Sequence, residues 1–267
     1  MIVAFWPRRL LALSLAAVAV AGAVAFARMR AAQLEDNAFW SGWTLLAIFV
    51  VLAVYNLRKR VSNLPLGTSA TWLQWHIYLG LIAIALIHVH IGWHLPSGSF
   101  SWLLYGLFWA VSLTGVLGLI LTRTLPHLLT AVGNEVIFER IGERVVDLHD
   151  EAAGIVQGVL GRPEGQVLAG FFIDRLDPFL RRPRWAWQES RERWLTSQCA
   201  NVARLAGPDL ADAVADLEEI AHEKLLLDRH YFLQGILKGW LFVHIPLATM
   251  ALTAAVYHTG MVLWFRP

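Results

Sequence analysis

Six histidines, His76, His88, His90, His94, His244 and His258, stand in apolar stretches that hold no Asp, Glu or Arg, with Lys238 only at an edge. An ionisable side chain at membrane depth is costly to place, so it marks a functional site by default. His76 and His90 are 14 residues apart, and so are His244 and His258. At about 100° per residue that spacing stops about 40° short of four helical turns and climbs roughly 21 Å. Each pair therefore lies on one face of its helix, at two depths. If the two helices run parallel, His76 comes level with His244 and His90 with His258. Neutral imidazole is a good iron ligand, and haem iron commonly takes axial histidine. Two cross-helix pairs at two depths suit two haems, each held by one imidazole from each helix.

The other histidines compete less well. His88 is 12 residues from His76, about 120° off its face, and reads as a packing or hydrogen-bonding residue. His94 returns to that face but sits about 27 Å up the axis, at the membrane rim, and is the alternate ligand. His90 and His94, at i and i+4, could also form half of a metal site near the outer surface, which leaves His76, His244 and His258 unexplained. A lone intramembrane histidine usually bonds one helix to another. Four at matched spacing are less easily accidental. Gly80, one turn after His76, and Gly115 and Gly118 on the neighbouring span would let a flat macrocycle approach the backbone, or equally let helices pack closely.

The elements that must carry these residues follow from composition. Of 267 residues 57% are hydrophobic and only 16% charged, with mean hydropathy +0.52, too apolar for an ordinary soluble domain. Five stretches, about 10–27, 38–57, 72–95, 101–122 and 236–264, approach or exceed the roughly 20 residues a helix needs to cross the hydrocarbon layer. Trp40, Trp43, Trp72, Trp75, Trp93, Trp102, Trp240 and Trp264 stand near their ends, at headgroup level. Residues 123–239 hold 18 of the 20 acidic and 14 of the 22 basic residues. The fold expected is an all-α, polytopic membrane helix bundle of about five spans. A helical hydrophilic insert lies between spans four and five, dividing the chain as 1–122, 123–235 and 236–267.

Basic residues in short flanks orient the spans: Arg8, Arg9, Arg58, Lys59, Arg60 and Arg123 inside, Arg28, Arg30 and Arg266 outside. This makes the third and fifth spans parallel and the insert cytoplasmic, in a bacterial-type inner membrane. Residues 1–27 read as a retained anchor, or alternatively as a signal peptide ending at Ala25-Phe26-Ala27. In the insert, amphipathic runs near 131–160, 168–181, 185–206 and 208–230 break at Gly161-Arg162-Pro163, Arg182-Pro183 and Gly207-Pro208. Arg181, Arg182 and Arg184 beside Trp185 and Trp187 would suit anionic lipid headgroups, or simply a solvated cap.

Exclusions narrow the chemistry. The single Cys199 cannot make an internal disulfide, a Cys-rich iron–sulfur site or a c-type haem attachment. Neither a dinucleotide fingerprint nor a P-loop is present, so direct oxidation of NAD(P)H is not expected. Nothing supports nucleic-acid binding.

The pattern His76-x13-His90 with His244-x13-His258 resembles the membrane b-type dihaem cytochromes, a group that includes cytochrome b of quinol-oxidising complexes and the ferric-reductase-like transmembrane domains. Trp75-His76-Ile77-Tyr78-Leu79-Gly80 and Ser112-Leu113-Thr114-Gly115 add to the likeness, which covers the last three spans. It implies two haem b groups passing single electrons across the membrane, with quinone or quinol and a c-type cytochrome or other redox subunit as partners. The chain departs from the ferric reductases and NADPH oxidases, which add a flavin and nicotinamide domain after their spans. Arg58, Lys59, Arg60, Arg123 and Lys238 near the inner rim could pair with haem propionates, or serve only as topology anchors. Two rival readings stand beside the electron relay. One is an outer-face terminal reductase of ferric iron or another small acceptor on the same scaffold. The other is a haem-free transporter or assembly subunit.

Overall fold

The computed structural model describes residues 5–32, 37–60, 68–130, 137–181 and 189–265. Among them every regular element is helical and no strand occurs. In chain order the α-helices are α1 (Phe5–Ala32), α2 (Ala38–Arg60), α3 (Ser69–His90), α4 (Ser99–Thr130), α5 (Phe138–Val159), α6 (Gly165–Phe171), α7 (Asp177–Leu180), α8 (Glu189–Ala206) and α9 (Ala211–Phe265), with a 3-10 turn at Pro208–Leu210. The side chains of Arg8, Arg9, Arg58, Lys59 and Arg60, and the residues Arg182, Arg184, Trp185, Trp187 and Arg266, lie outside the description. Contacts divide the chain into two compact units, Met1–Ile120 with Trp240–Pro267, and Leu121–Gly239.

The first unit is built of long apolar helices. Four helices of the described chain, within Ala38–Tyr55, Ser69–His90, Ser99–Leu128 and Pro208–Phe265, are long and apolar enough to cross a membrane. Their outward side chains are apolar too: Phe242 is 80% exposed and Leu113 63%. A water-soluble domain hides such groups, and a lipid-facing one does not need to. The chain is a multi-pass membrane protein. Helices α1 and α2 pack on α3, and a small core of Leu45, Ile48, Ala83, Leu86 and Phe108 lies among α2, α3 and α4. The Phe49 ring stacks on Phe108 at 6.1 Å. Thr68 caps α3, its hydroxyl accepting from the Thr71 N–H at 3.3 Å. The α3 to α4 connection turns through Gly92 and Gly98, whose positive φ angles of 63° and 91° are open to glycine at little cost.

The second unit has a core of its own. Ile141, Val145, Leu148, Ala152, Val156 and Val159 recur every three or four residues along α5 and are all buried. This stripe meets Leu195, Cys199 and Val202 of α8 and Val214, Leu217 and Ile220 of α9 in one cluster. Three contacts tie α5 to α9 in antiparallel register: the forked Arg144–Glu223 ion pair at 2.7 and 2.8 Å, the Lys238–Glu139 ion pair, and Phe138 stacked on Tyr231 at 4.9 Å. Lys224 is fully buried and bonds Asp228 at 2.6 Å. Burial pushes the Cys199 thiol up to about 11, so it is a packing residue and no thiolate.

Two boundaries differ from the sequence reading. The run at 168–181 is two short helices joined by a π-helical turn, Phe172–Leu176. At the other end, α9 continues from the insert into the last span, and no proline stands near 236 to stop it. Its one internal proline is Pro246. The break expected at Gly207-Pro208 is present, with Gly207 at φ 77°, a conformation that glycine tolerates, and Pro208 after it keeps α8 from continuing.

Candidate functional site

Helices α3 and α9 bring the four histidines together as two pairs. The rings of His76 and His244 have their centroids 6.4 Å apart, at 72° to one another. Those of His90 and His258 are also 6.4 Å apart, at 87°. The first partner of each pair comes from α3 and the second from α9, so these stretches run parallel. All four side chains are half-buried.

Two of the imidazoles are held through Nδ1. His90 Nδ1 lies 3.0 Å from the Ala38 carbonyl oxygen and 3.2 Å from Ser41 Oγ. A carbonyl only accepts, so Nδ1 carries the hydrogen and the lone pair of the neutral ring is on Nε2. Ser41 is itself buried, its hydroxyl committed to the Asn37 carbonyl at 2.5 Å. His244 Nδ1 lies 2.9 Å from Thr114 Oγ1, and that hydroxyl is 2.9 Å from both the Ala110 and Val111 carbonyls. With its single hydrogen given to one of these carbonyls, it accepts from the imidazole. Again Nδ1 is protonated and Nε2 holds the lone pair. A ring N–H bonded to a carbonyl or hydroxyl fixes the tautomer and raises the basicity of the other nitrogen, as around metal-bound histidines.

The space beside the pairs is shaped by small residues. A cavity of about 350 Å³ borders His90 and His258 and is walled by Gly42, Phe49, Tyr105 and Phe108, with His94 and Ser97 towards its rim. Another of about 320 Å³ lies against His76 only, between Tyr55 of α2 and Trp72 and Trp75 of α3, and is not lined by His244. Both fall within the roughly 300 to 1,000 Å³ of ligand and cofactor sites. A Cβ at Gly42 would stand 3.0 Å from the His90 ring, and one at Gly115 3.6 Å from that of His244. At Gly80 it would meet nothing within 4 Å, so that glycine faces open space. Gly118 instead makes room for Trp240, whose ring occupies the place its Cβ would take. Ala83 lies seven residues from both His76 and His90, Ala251 seven from both His244 and His258, and they are buried to 2% and 3% exposure.

The remaining candidates have other places. His88 bonds back to the Ile84 carbonyl at 2.8 Å and packs on Trp93 and Trp109, a hydrogen-bonding and packing role. His94 borders the His90/His258 cavity at its rim. Lys238 is engaged by Glu139 and lies over the Phe138 ring at 4.0 Å, and Arg123 is exposed. Trp240, placed by composition at the headgroup level, stacks on His244 at 5.3 Å and donates its indole N–H to the Thr114 carbonyl at 2.7 Å. Sequence reasoning did not single out Ala38, Ser41 or Gly42, nor assign a role to Thr114. The available signals were small or hydroxyl residues next to glycine, Ser41-Gly42 and Thr114-Gly115.

Among the described residues no three or more His, Cys, Asp or Glu converge as a cage for a bare metal ion. The site supplies imidazoles two at a time. No family model, curated protein or solved structure matches the chain.

Proposed function

We propose that this chain is a b-type dihaem electron carrier of the membrane, with one haem b held by His76 and His244 and the other by His90 and His258. The observation that carries this reading is the repeated 6.4 Å separation of the two pairs. A metal–nitrogen bond of about 2.0 Å and a nitrogen roughly 1.1 Å from its ring centre add up to about 6.2 Å between the centres of two imidazoles that would share one iron. A porphyrin would supply the remaining nitrogens, so a pair of histidines is a sufficient protein contribution at each centre. The Nδ1 bonds of His90 and His244 favour the same reading, because they leave each lone pair on Nε2.

When bound, the group supplies a one-electron ferric/ferrous couple. The chain's own part is to present two imidazoles to each centre, hold their rings by hydrogen bonds and stacking, and wall the centres with apolar side chains that exclude water. His76 with His244 and His90 with His258 would each hold one group, and the chemistry supplied there would be one-electron relay and not oxygen activation. The donor and acceptor are a quinol or quinone in the lipid and a c-type cytochrome or other redox subunit. The His76/His244 centre lies towards the cytoplasmic face of a bacterial-type inner membrane and the His90/His258 centre towards the outer face, with the insert cytoplasmic.

The test is the absorption spectrum of the purified protein, oxidised and dithionite-reduced, with a pyridine haemochrome count. Two non-covalent b haems per chain are expected. A preparation made with ample haem supply that contains none refutes the proposal.

A further inference from the structure

Thr114 bonds in two directions at once. Its hydroxyl takes the Nδ1 hydrogen of His244 at 2.9 Å, and its backbone carbonyl takes the indole hydrogen of Trp240 at 2.7 Å. That indole stacks on the same imidazole, 5.3 Å between centroids and 22° from parallel. Gly118, one turn along α4, leaves the place that the indole fills, and Gly115 lets the backbone stand against His244 Cε1. Thr114, Gly115 and Gly118 thus form a cradle on α4 for the His244 ring and the indole stacked on it. His90 is served differently, by the Ala38 carbonyl with Ser41 beside it.

We propose that Thr114 is the positioning residue of the His244 centre, setting through its hydroxyl the donor strength of that imidazole and so the redox potential of that centre alone. The inference rests on the dihaem reading above. An imidazole whose N–H is accepted by a partner is the more basic ligand, and a more basic ligand stabilises the ferric state. Valine at 114 keeps the shape and removes the acceptor, so the ferric state loses support and the potential of one centre rises. Serine restores the hydroxyl.

The experiment compares full-length wild type, Thr114→Val, Thr114→Ser and Ser41→Ala, each purified with haem. Readouts are the haemochrome count, a potentiometric titration resolving both centres, and low-temperature electron paramagnetic resonance of the ferric irons. The expected result is a rise in one midpoint potential and an altered ferric signal in Thr114→Val, with the second centre unmoved and Thr114→Ser like wild type. Ser41→Ala should leave the Thr114-sensitive centre unchanged. Loss of one haem in Thr114→Val that Thr114→Ser retains would equally support the role of the hydroxyl. The inference is overturned if Thr114→Val titrates as wild type, if Val and Ser behave alike, or if both centres shift together. Absence of haem from the wild type would instead refute the dihaem reading itself.

Discussion

At the scale of single residues, the proposed dihaem reading and the pairing of histidines together make a prediction that haem content alone does not. Because His90 faces His258 and His76 faces His244, replacing either member of a pair should abolish the same centre. His90→Ala and His258→Ala should each halve the haem count and leave an identical remaining spectrum. His76→Ala and His244→Ala should leave the complementary one. Loss of different haems within a pair would refute the pairing. Ser41 allows a finer prediction. His90 Nδ1 has the Ala38 carbonyl as well as the serine hydroxyl, and backbone cannot be mutated away. Ser41→Ala should therefore shift the His90 centre less than Thr114→Val shifts the His244 centre, as read by potentiometric titration. The spacing of 14 made the four ligand candidates legible in the chain. Their supports were not, because Ala38 and Thr114 sit on other helices and reach the imidazoles only once the bundle forms.

At the scale of elements, what matters is which helix faces are kept small. Gly42 on α2 stands so close to His90 that a larger side chain must displace the ring. Gly42→Leu should cost about 1 to 3 kcal/mol through overpacking and selectively deplete the His90/His258 haem. Haem counts and thermal unfolding of Gly42→Leu against wild type would check this. The insert carries a separate device. His149 Nε2 meets Asp177 at 2.7 Å, and Asp177 also takes Arg181 at 2.7 Å, joining α5 to α7 just after the π-helical turn. Its hydrogen bond to Asp177 holds the His149 pKa above the usual 6.5. Arg181 and then His149 hold the Asp177 carboxyl below 3.8. The histidine contribution is complete below its unfolded value and fades as pH rises through the higher folded one. The aspartate contribution is complete above its unfolded value and fades as pH falls through the lower folded one. The clamp is thus strongest at mildly acidic pH. Hydrogen-exchange protection factors of α5 and α7, corrected for the intrinsic pH dependence, should be highest there, and Asp177→Asn should flatten that dependence.

At the scale of the whole molecule, the chain joins a lipid-facing bundle to a charged helical unit with an apolar core of its own. Protease added to inside-out vesicles should cut the insert, and added to right-side-out vesicles should not, if the flanking arginines orient the spans as argued. The reverse pattern would exchange which centre faces which compartment. Composition alone determined the class of fold, because an apolar chain with its charges swept into one segment has few ways to satisfy its backbone except as membrane helices. Helical periodicity alone determined which histidines could share a face. Tertiary structure decided what surrounds them. It turned Trp240 from a headgroup marker into a ring stacked on His244, and it tied Lys238 to Glu139. It also placed a threonine and a backbone carbonyl behind the two best-held imidazoles. The physical reason is that periodicity is a property of one helix, whereas a hydrogen bond between His244 and a residue 130 positions away exists only when packing has set both helices in register.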